Sequence, residues 1–308
     1  MKVTIKRAQT EPGRSLPSVS DISKRVGIMM WAVLCGVAGT VFAAQGGEVE
    51  LRVVHTNDTH SCVMPVNPNS SDSALADKGG FVRRAALVRD LRAEDPDLLL
   101  FDSGDFSQGS AYYNLFKGDV EVKLMNEMRY DAATIGNHEF DFGLDNMARI
   151  FREAAFPVVC ANYHFEGTVL EGLVRPYVVL ERKGVKVGVF GLGTQLEGMV
   201  ASENYKGVTY EDPVAAANRV ADELKNKEHC DLVVCLSHLG WDIDGLDDTE
   251  LVPATRHVDI VLGGHSHTYF EHPQVLKDAE GKNVYCNQMG KHGRYVGMLL
   301  LEMSPTGD

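Results

Sequence analysis

Ala132-Ala-Thr-Ile135 runs straight into Gly136-Asn137-His138-Glu139-Phe140-Asp141. A short apolar run that empties into glycine and a row of ligand-type side chains reads as a strand ending in a functional loop. The Asn137 amide oxygen is a neutral, hard ligand for a cation. His138, next door, can face a substrate instead. Asp141 lies three residues on, and a helical turn would put it on the same side as His138. A carboxylate there would fix the imidazole tautomer and favour its protonated form, besides meeting a helix dipole.

On either side of this stretch the same rhythm recurs. Leu51–His55 runs into Thr56-Asn57-Asp58-Thr59-His60, and Leu98–Phe101 into Asp102-Ser103-Gly104-Asp105. Pro157–Cys160 ends in Ala-Asn-Tyr, and Val185–Phe190 in Gly-Leu-Gly. Leu232–Leu236 ends in Ser237-His238, and Ile260–Leu262 in Gly263-Gly264-His265-Ser266-His267. Asn283–Cys286 and Tyr295–Met303 follow. Between these runs, Phe81–Glu94, Val120–Met128, Asp145–Ala155 and Pro213–Lys227 are amphipathic at helical spacing, with Pro213 suited to a first turn. Strands alternating with helices predict an α/β domain without internal repeats. Pro65–Gly80 and the acidic stretch Trp241–Glu250 read as polar loops.

The ligand-type residues fall just past strand ends, the edge where α/β sheets bind ligands. Asp58 and His60 are two apart, so an extended segment turns both to one face. Asp105 follows a glycine that permits a sharp turn, and its two oxygens can bridge two cations. Asp102 competes for that place, with hydrogen-bonding support as its milder role. His265 and His267 repeat the two-apart spacing, and His238 stands singly. Each alone is weak. Together Asp58, His60, Asp105, Asn137, His238, His265 and His267 predict a site for two divalent metal ions. A set without cysteine excludes a structural zinc knot and suits Zn, Mn or Fe. Gly191-Leu-Gly193 is a strand-ending turn rather than a dinucleotide fingerprint. Gly79-Gly80 could open a helix towards an anion or act as a hinge. Tyr112, Tyr113 and Phe116 read as core packing near the Asp105 loop, or as an apolar wall.

The chain has 308 residues, 44% of them hydrophobic, and a net charge of −13. That excludes a disordered polymer and a sequence-blind nucleic-acid binder, which needs a basic face. Residues 1–43 hold scattered basic side chains and then the uncharged run Val26–Ala43, ending in small residues. This predicts a secretory signal cleaved near Ala43, with an uncleaved anchor over residues 26–44 as the alternative. Cys62, Cys160, Cys230, Cys235 and Cys286 would remain, an odd number with no C-x-x-C, so buried thiols are expected in preference to a disulfide framework.

In order, these motifs resemble the calcineurin-like metallophosphoesterases, and within them the exported 5′-nucleotidase/UDP-sugar hydrolase branch. Asn57-Asp58-Thr59-His60, Gly136–Asp141, Gly264–His267 and Asn114-Leu-Phe-Lys-Gly-Asp119 carry the likeness. The resemblance implies a four-layer α/β/β/α sandwich over residues 44–308. It implies one ion on Asp58, His60, Asp105 and His267, and a second on Asp105, Asn137, His238 and His265. His138, oriented by Asp141, would stabilise the phosphate in flight. The implied activity is hydrolysis of a small-molecule phosphate ester, a 5′-nucleotide first, with cyclic nucleotides or UDP-sugars as alternatives, in a periplasm. The branch also implies a following nucleotide-gripping domain, which is not found before Asp308; a separate chain supplying it, or a metal-holding module active only with that partner, is the remaining expectation.

Overall fold

Within each central strand, alternate apolar side chains go to opposite faces, and that division builds the molecule. The computed structural model describes residues 2–7, 48–71 and 76–304. One sheet contains β1 (Lys2–Arg7), β2 (Val49–Thr56), β3 (Leu99–Asp102), β4 (Ala132–Ala133), β5 (Val158–Val159), β7 (Val174–Arg175) and β15 (Gly297–Ser304). Its order is β1-β15-β2-β3-β4-β5-β7, parallel from β2 to β7. The other contains β8 (Tyr177–Arg182), β9 (Val185–Gly193), β11 (Leu232–His238), β12 (Ile260–Leu262), β13 (Gln274–Lys277) and β14 (Asn283–Asn287). Its order is β13-β14-β12-β11-β9-β8, with antiparallel strands only at its edges. β6 (Tyr163–His164) and β10 (Thr209–Tyr210) form a separate pair.

Leu51, Val53, Leu99 and Phe101 of the first sheet meet Val187, Val189, Val234, Leu236 and Leu262 of the second in one buried cluster. Val54 and Leu100 face the other way, onto α1 (Phe81–Glu94), α3 (Asp119–Met128) and α4 (Gly143–Glu153). Val233, Cys235 and Val261 likewise face α5 (Pro213–Asp222) and α6 (Asp248–Ala254). Three apolar interfaces thus separate four layers, α/β/β/α. Burial on both faces is why these strands read as unbroken apolar runs. Each such Val or Leu contributes roughly 1.5–3 kcal/mol of burial.

The strand and helix readings agree with the structure to within a few residues. The Pro213–Lys227 helix divides: α5 ends at Asp222 and continues as one wider π turn over Glu223–Lys227. Trp241–Glu250 is only partly a loop: Asp247 caps α6, its side chain accepting from Thr249 N at 2.8 Å. A short α2 (Ala111–Phe116) and the half-buried edge strand β8 carried too little periodicity to be read. Lys2–Arg7, expected to stand outside the fold, pairs antiparallel with β15, whose edge offers unpaired backbone groups. The apolar run from residue 26 to 43 lies outside the described residues. Cys160, Cys230, Cys235 and Cys286 are buried thiols, and Cys62 is a half-buried free thiol. No helix among the described residues is long and apolar enough to cross a membrane.

Candidate metal centre

The loops after β2, β3, β4, β11 and β12 converge at one edge of the sandwich. Loop joins loop by backbone bonds: Asp58 N to Gly104 O, His60 N to Asp105 O and Ser61 N to Phe106 O, each 2.9 Å. These contacts hold a row of left-handed residues, with φ of 48° at Asp58, 43° at His60, 54° at Asp105, 70° at His265 and 58° at His267. Such conformations cost of order 1–3 kcal/mol each and persist only where the surroundings enforce them. Gly136 is obligatory: a Cβ there would lie 2.2 Å from Asp105 Oδ1 and 2.7 Å from His238 Nε2. Gly264 similarly lets its loop approach, since a Cβ would come within 2.9 Å of both His238 Nδ1 and Ser103 O.

The site residues read from the sequence all meet here. Asp58, His60 and His267 present ligand atoms within 4.8 Å of one another, as do Asp105, His238 and His265, and as do His60, Asp105 and His138. Asn137 adjoins the second group, its Oδ1 3.1 Å from His265 Nδ1. His60 and Asp105 each belong to two of the groups, so the three run into one another.

The contacts inside the cluster bring metal-ligand atoms face to face. His60 Nε2 and His267 Nε2 face each other at 3.0 Å, with Asp58 Oδ1 3.8 and 3.4 Å from them. His238 Nδ1 donates to Ser103 O at 2.7 Å, which leaves Nε2 to face Asp105 Oδ2, 3.1 Å away. Asp58, Asp105 and His238 are buried. Converging lone pairs in a buried place need a shared proton or a cation between them. The donor set of imidazoles, carboxylates and one amide therefore fits divalent metal ions.

Charge distribution follows the geometry. Burial lowers the His238 pKa, but the Asp105 carboxylate outweighs it and pushes the group up to about 10. Burial would raise the Asp105 carboxyl, and His238, His60 and His138 pull it well below the usual range. Burial and the His238 charge take His265 down to about 4. His138 differs. Its Nδ1 lies 3.1 Å from Asp141 Oδ2, leaving Nε2 for the site. Burial lowers its pKa, but the Asp141 hydrogen bond and the charges of Asp105, Asp141 and Glu139 win, and the net shift is upward.

Asp102 takes the supporting role: it is buried and accepts from Thr56 Oγ1 at 2.6 Å and Gly104 N at 3.0 Å. Tyr113 is buried and its hydroxyl donates to His138 O at 3.2 Å, whereas Tyr112 and Phe116 are exposed. Glu139 braces the site. Its buried carboxylate accepts from Gly136 N at 2.7 Å and from Asp105 N and Ser107 N at 3.0 Å, locking two loops together. Burial and the Asp105 charge raise it to about 7 against the pull of those donors. A carboxylate beside Asn-His in this loop was the only local signal.

A four-layer sandwich with mixed His, Asp and Asn ligands at its strand ends is the framework of a metal-dependent hydrolase. The sequence profile of the calcineurin-like phosphoesterases matches residues 51–269, and the chain belongs to that family of phosphoric ester hydrolases. It is 31% identical to the 5′-nucleotidase of Homo sapiens over 296 residues, covering 90% of this chain and 50% of that protein. Among solved structures it resembles the 5′-nucleotidase precursor from Thermus thermophilus, with TM-score 0.74 and 34% identity over 82% of this chain and 51% of that one. The NAD nucleotidase of Haemophilus influenzae gives TM-score 0.75 and 27% identity over 84% and 54%. The chain spans about half the length of the curated relatives it matches. In those relatives the other half belongs to the same polypeptide, so a separate partner chain gains no support.

Proposed function

We propose that this chain hydrolyses phosphate monoesters, 5′-nucleotides foremost, at a centre of two divalent metal ions. The observation that carries the reading is the meeting of three overlapping ligand groups at one edge: Asp58, His60 and His267; His60, Asp105 and His138; and Asp105, His238 and His265. In this reading Asp58, His60, Asp105 and His267 hold one ion, and Asp105, Asn137, His238 and His265 the other. When bound, a pair of such ions would supply Lewis-acid charge and lower the pKa of a water. His138, kept protonated by Asp141, turns Nε2 to the phosphoryl oxygens as their charge grows and can hand a proton to the leaving alkoxide. Asp141 touches no substrate; it sets the tautomer. Glu139 and Gly136 keep the Asp105 and His138 loops in register.

The 5′-nucleotidase likeness supports the substrate class. The likeness to an NAD nucleotidase supports a second one, pyrophosphate-linked nucleotides, alongside UDP-sugars and cyclic nucleotides. Export rests on the basic and then apolar composition of residues 1–43, with an anchor over residues 26–44 as the alternative, and the periplasmic setting rests on the family resemblance.

The test is phosphate release by the purified chain from AMP, UDP-glucose, a cyclic nucleotide and an aryl phosphate, with Mn or Zn and then with chelator. Chelator-sensitive release, greatest from AMP, is expected. Release that ignores chelator would sink the two-ion reading, and turnover of the aryl ester alone would sink the nucleotide assignment.

A further inference from the structure

Gln288, the residue after β14, is buried and grips the His265–His267 loop from behind. Its Nε2 donates to Gly264 O at 2.9 Å. Its Oε1 accepts from Ser266 Oγ at 3.0 Å and from Thr268 N at 2.5 Å. The three bonds land before, between and after the two histidines. Both histidines carry left-handed backbone, which relaxes unless braced. The segment that follows Gln288 also holds Asp58. Met289 N donates to Asn57 Oδ1 and Asn57 Nδ2 to Gly290 O, each at 2.8 Å, and His292 N donates to Asp58 O at 2.7 Å.

We infer that Gln288 is a positioning residue that sets both metal sites at once. The inference rests on the two-ion reading above, in which His267 serves one ion and His265 the other. Gln288 reaches no ligand side chain. It fixes the single loop that sends one imidazole to each site, so the two affinities rise and fall together. A change in any single-site ligand, such as His267, has no such reach. Nothing in the residue's type or spacing announces the role, since a glutamine after a strand is ordinary, and only the fold brings it behind the loop.

The test is metal titration of the metal-free protein with Mn²⁺, by calorimetry with stoichiometry from equilibrium dialysis. Gln288→Ala leaves Gly264 O and Thr268 N without their partner. It is expected to weaken both binding steps by about 10- to 100-fold, the usual loss for an outer support of metal ligands. Gln288→Glu keeps the two accepted bonds and sets a carboxylate oxygen against Gly264 O, so a smaller loss in both steps is expected. That variant carries the test if the alanine form does not fold. Saturating Mn²⁺ should restore turnover of AMP, which a general packing defect would not allow. Weakening of one step alone, or unchanged affinity in both variants, would overturn the inference. A wild-type stoichiometry of one ion or none would overturn the two-ion reading itself, and this inference with it.

Discussion

The two ends of the sandwich put the same residue types to opposite uses. Where the parallel strands begin, Asp131, Asp231 and Asp259 stand just ahead of β4, β11 and β12. Each carboxylate accepts from the backbone of a neighbouring strand: Leu100 N at 2.8 Å, Lys186 N at 2.9 Å and Val233 N at 2.8 Å. Asp131 also takes Arg182 at 2.5 Å and Arg92 at 3.4 Å, tying one sheet to the other. Each carboxylate there meets a donor. Where the strands finish, ligand-type side chains crowd on one another instead, as His60 Nε2 meets His267 Nε2 and His238 Nε2 meets Asp105 Oδ2. Satisfied charge is a staple, and converging unsatisfied charge is a place for a cation. A carboxylate's role is therefore read from what faces it.

Four variants put that contrast at risk. Asp105→Ala removes the carboxylate common to two ligand groups. It is expected to lower turnover by at least about 10³-fold and to leave fewer than two ions by elemental analysis; full occupancy would refute the bridge. His138→Ala should keep both ions and lose roughly 10²-fold in turnover, the scale of a lost acid or transition-state contact. Unchanged turnover would remove His138 from the chemistry. Asp141→Asn should cost about tenfold, as a lost support does, and should also move the pH profile. The raised His138 pKa keeps the imidazole charged towards higher pH. Losing Asp141 lowers that pKa, so the alkaline limb of turnover should shift to lower pH. The ion pair's share of stability is present below the unfolded imidazole value and lost as pH rises through the folded one. A static alkaline limb would detach Asp141 from this role. Asp131→Ala, at the stapled end, should leave turnover unchanged and destabilise the fold by about 1.5–3 kcal/mol, the worth of hydrogen bonds to a charged group, seen as a lower urea midpoint. Lost activity at full stability would erase the distinction between the ends.

The candidate site was legible because its side chains come in short local pairs. Asp58 with His60, and His265 with His267, stood out by spacing alone, although left-handed backbone, not an extended segment, aims them, and His265 and His267 go to different ligand groups. His138 with Asp141 needed only one helical turn. What could not be read depends on partners far along the chain. Glu139 works through Asp105 N and Ser107 N, more than thirty residues earlier. Ser237 Oγ donates to buried Asp248 at 2.5 Å, inside a stretch that reads as an acidic loop. Edge strand β8 is half-buried along its length, so its apolar pattern is blurred.

Local sequence set the order of strands and helices, the loops that carry chemistry and the chemical type of each ligand. Those follow from periodicity and from what imidazole, carboxylate and amide groups can do. Tertiary packing settled that the two sheets bring five loops to one edge, which ligand-type side chains meet there, and which polar residues only brace. The physical reason is range. Packing of the two apolar sheet faces against each other chooses which strand ends meet, and no local propensity encodes that choice.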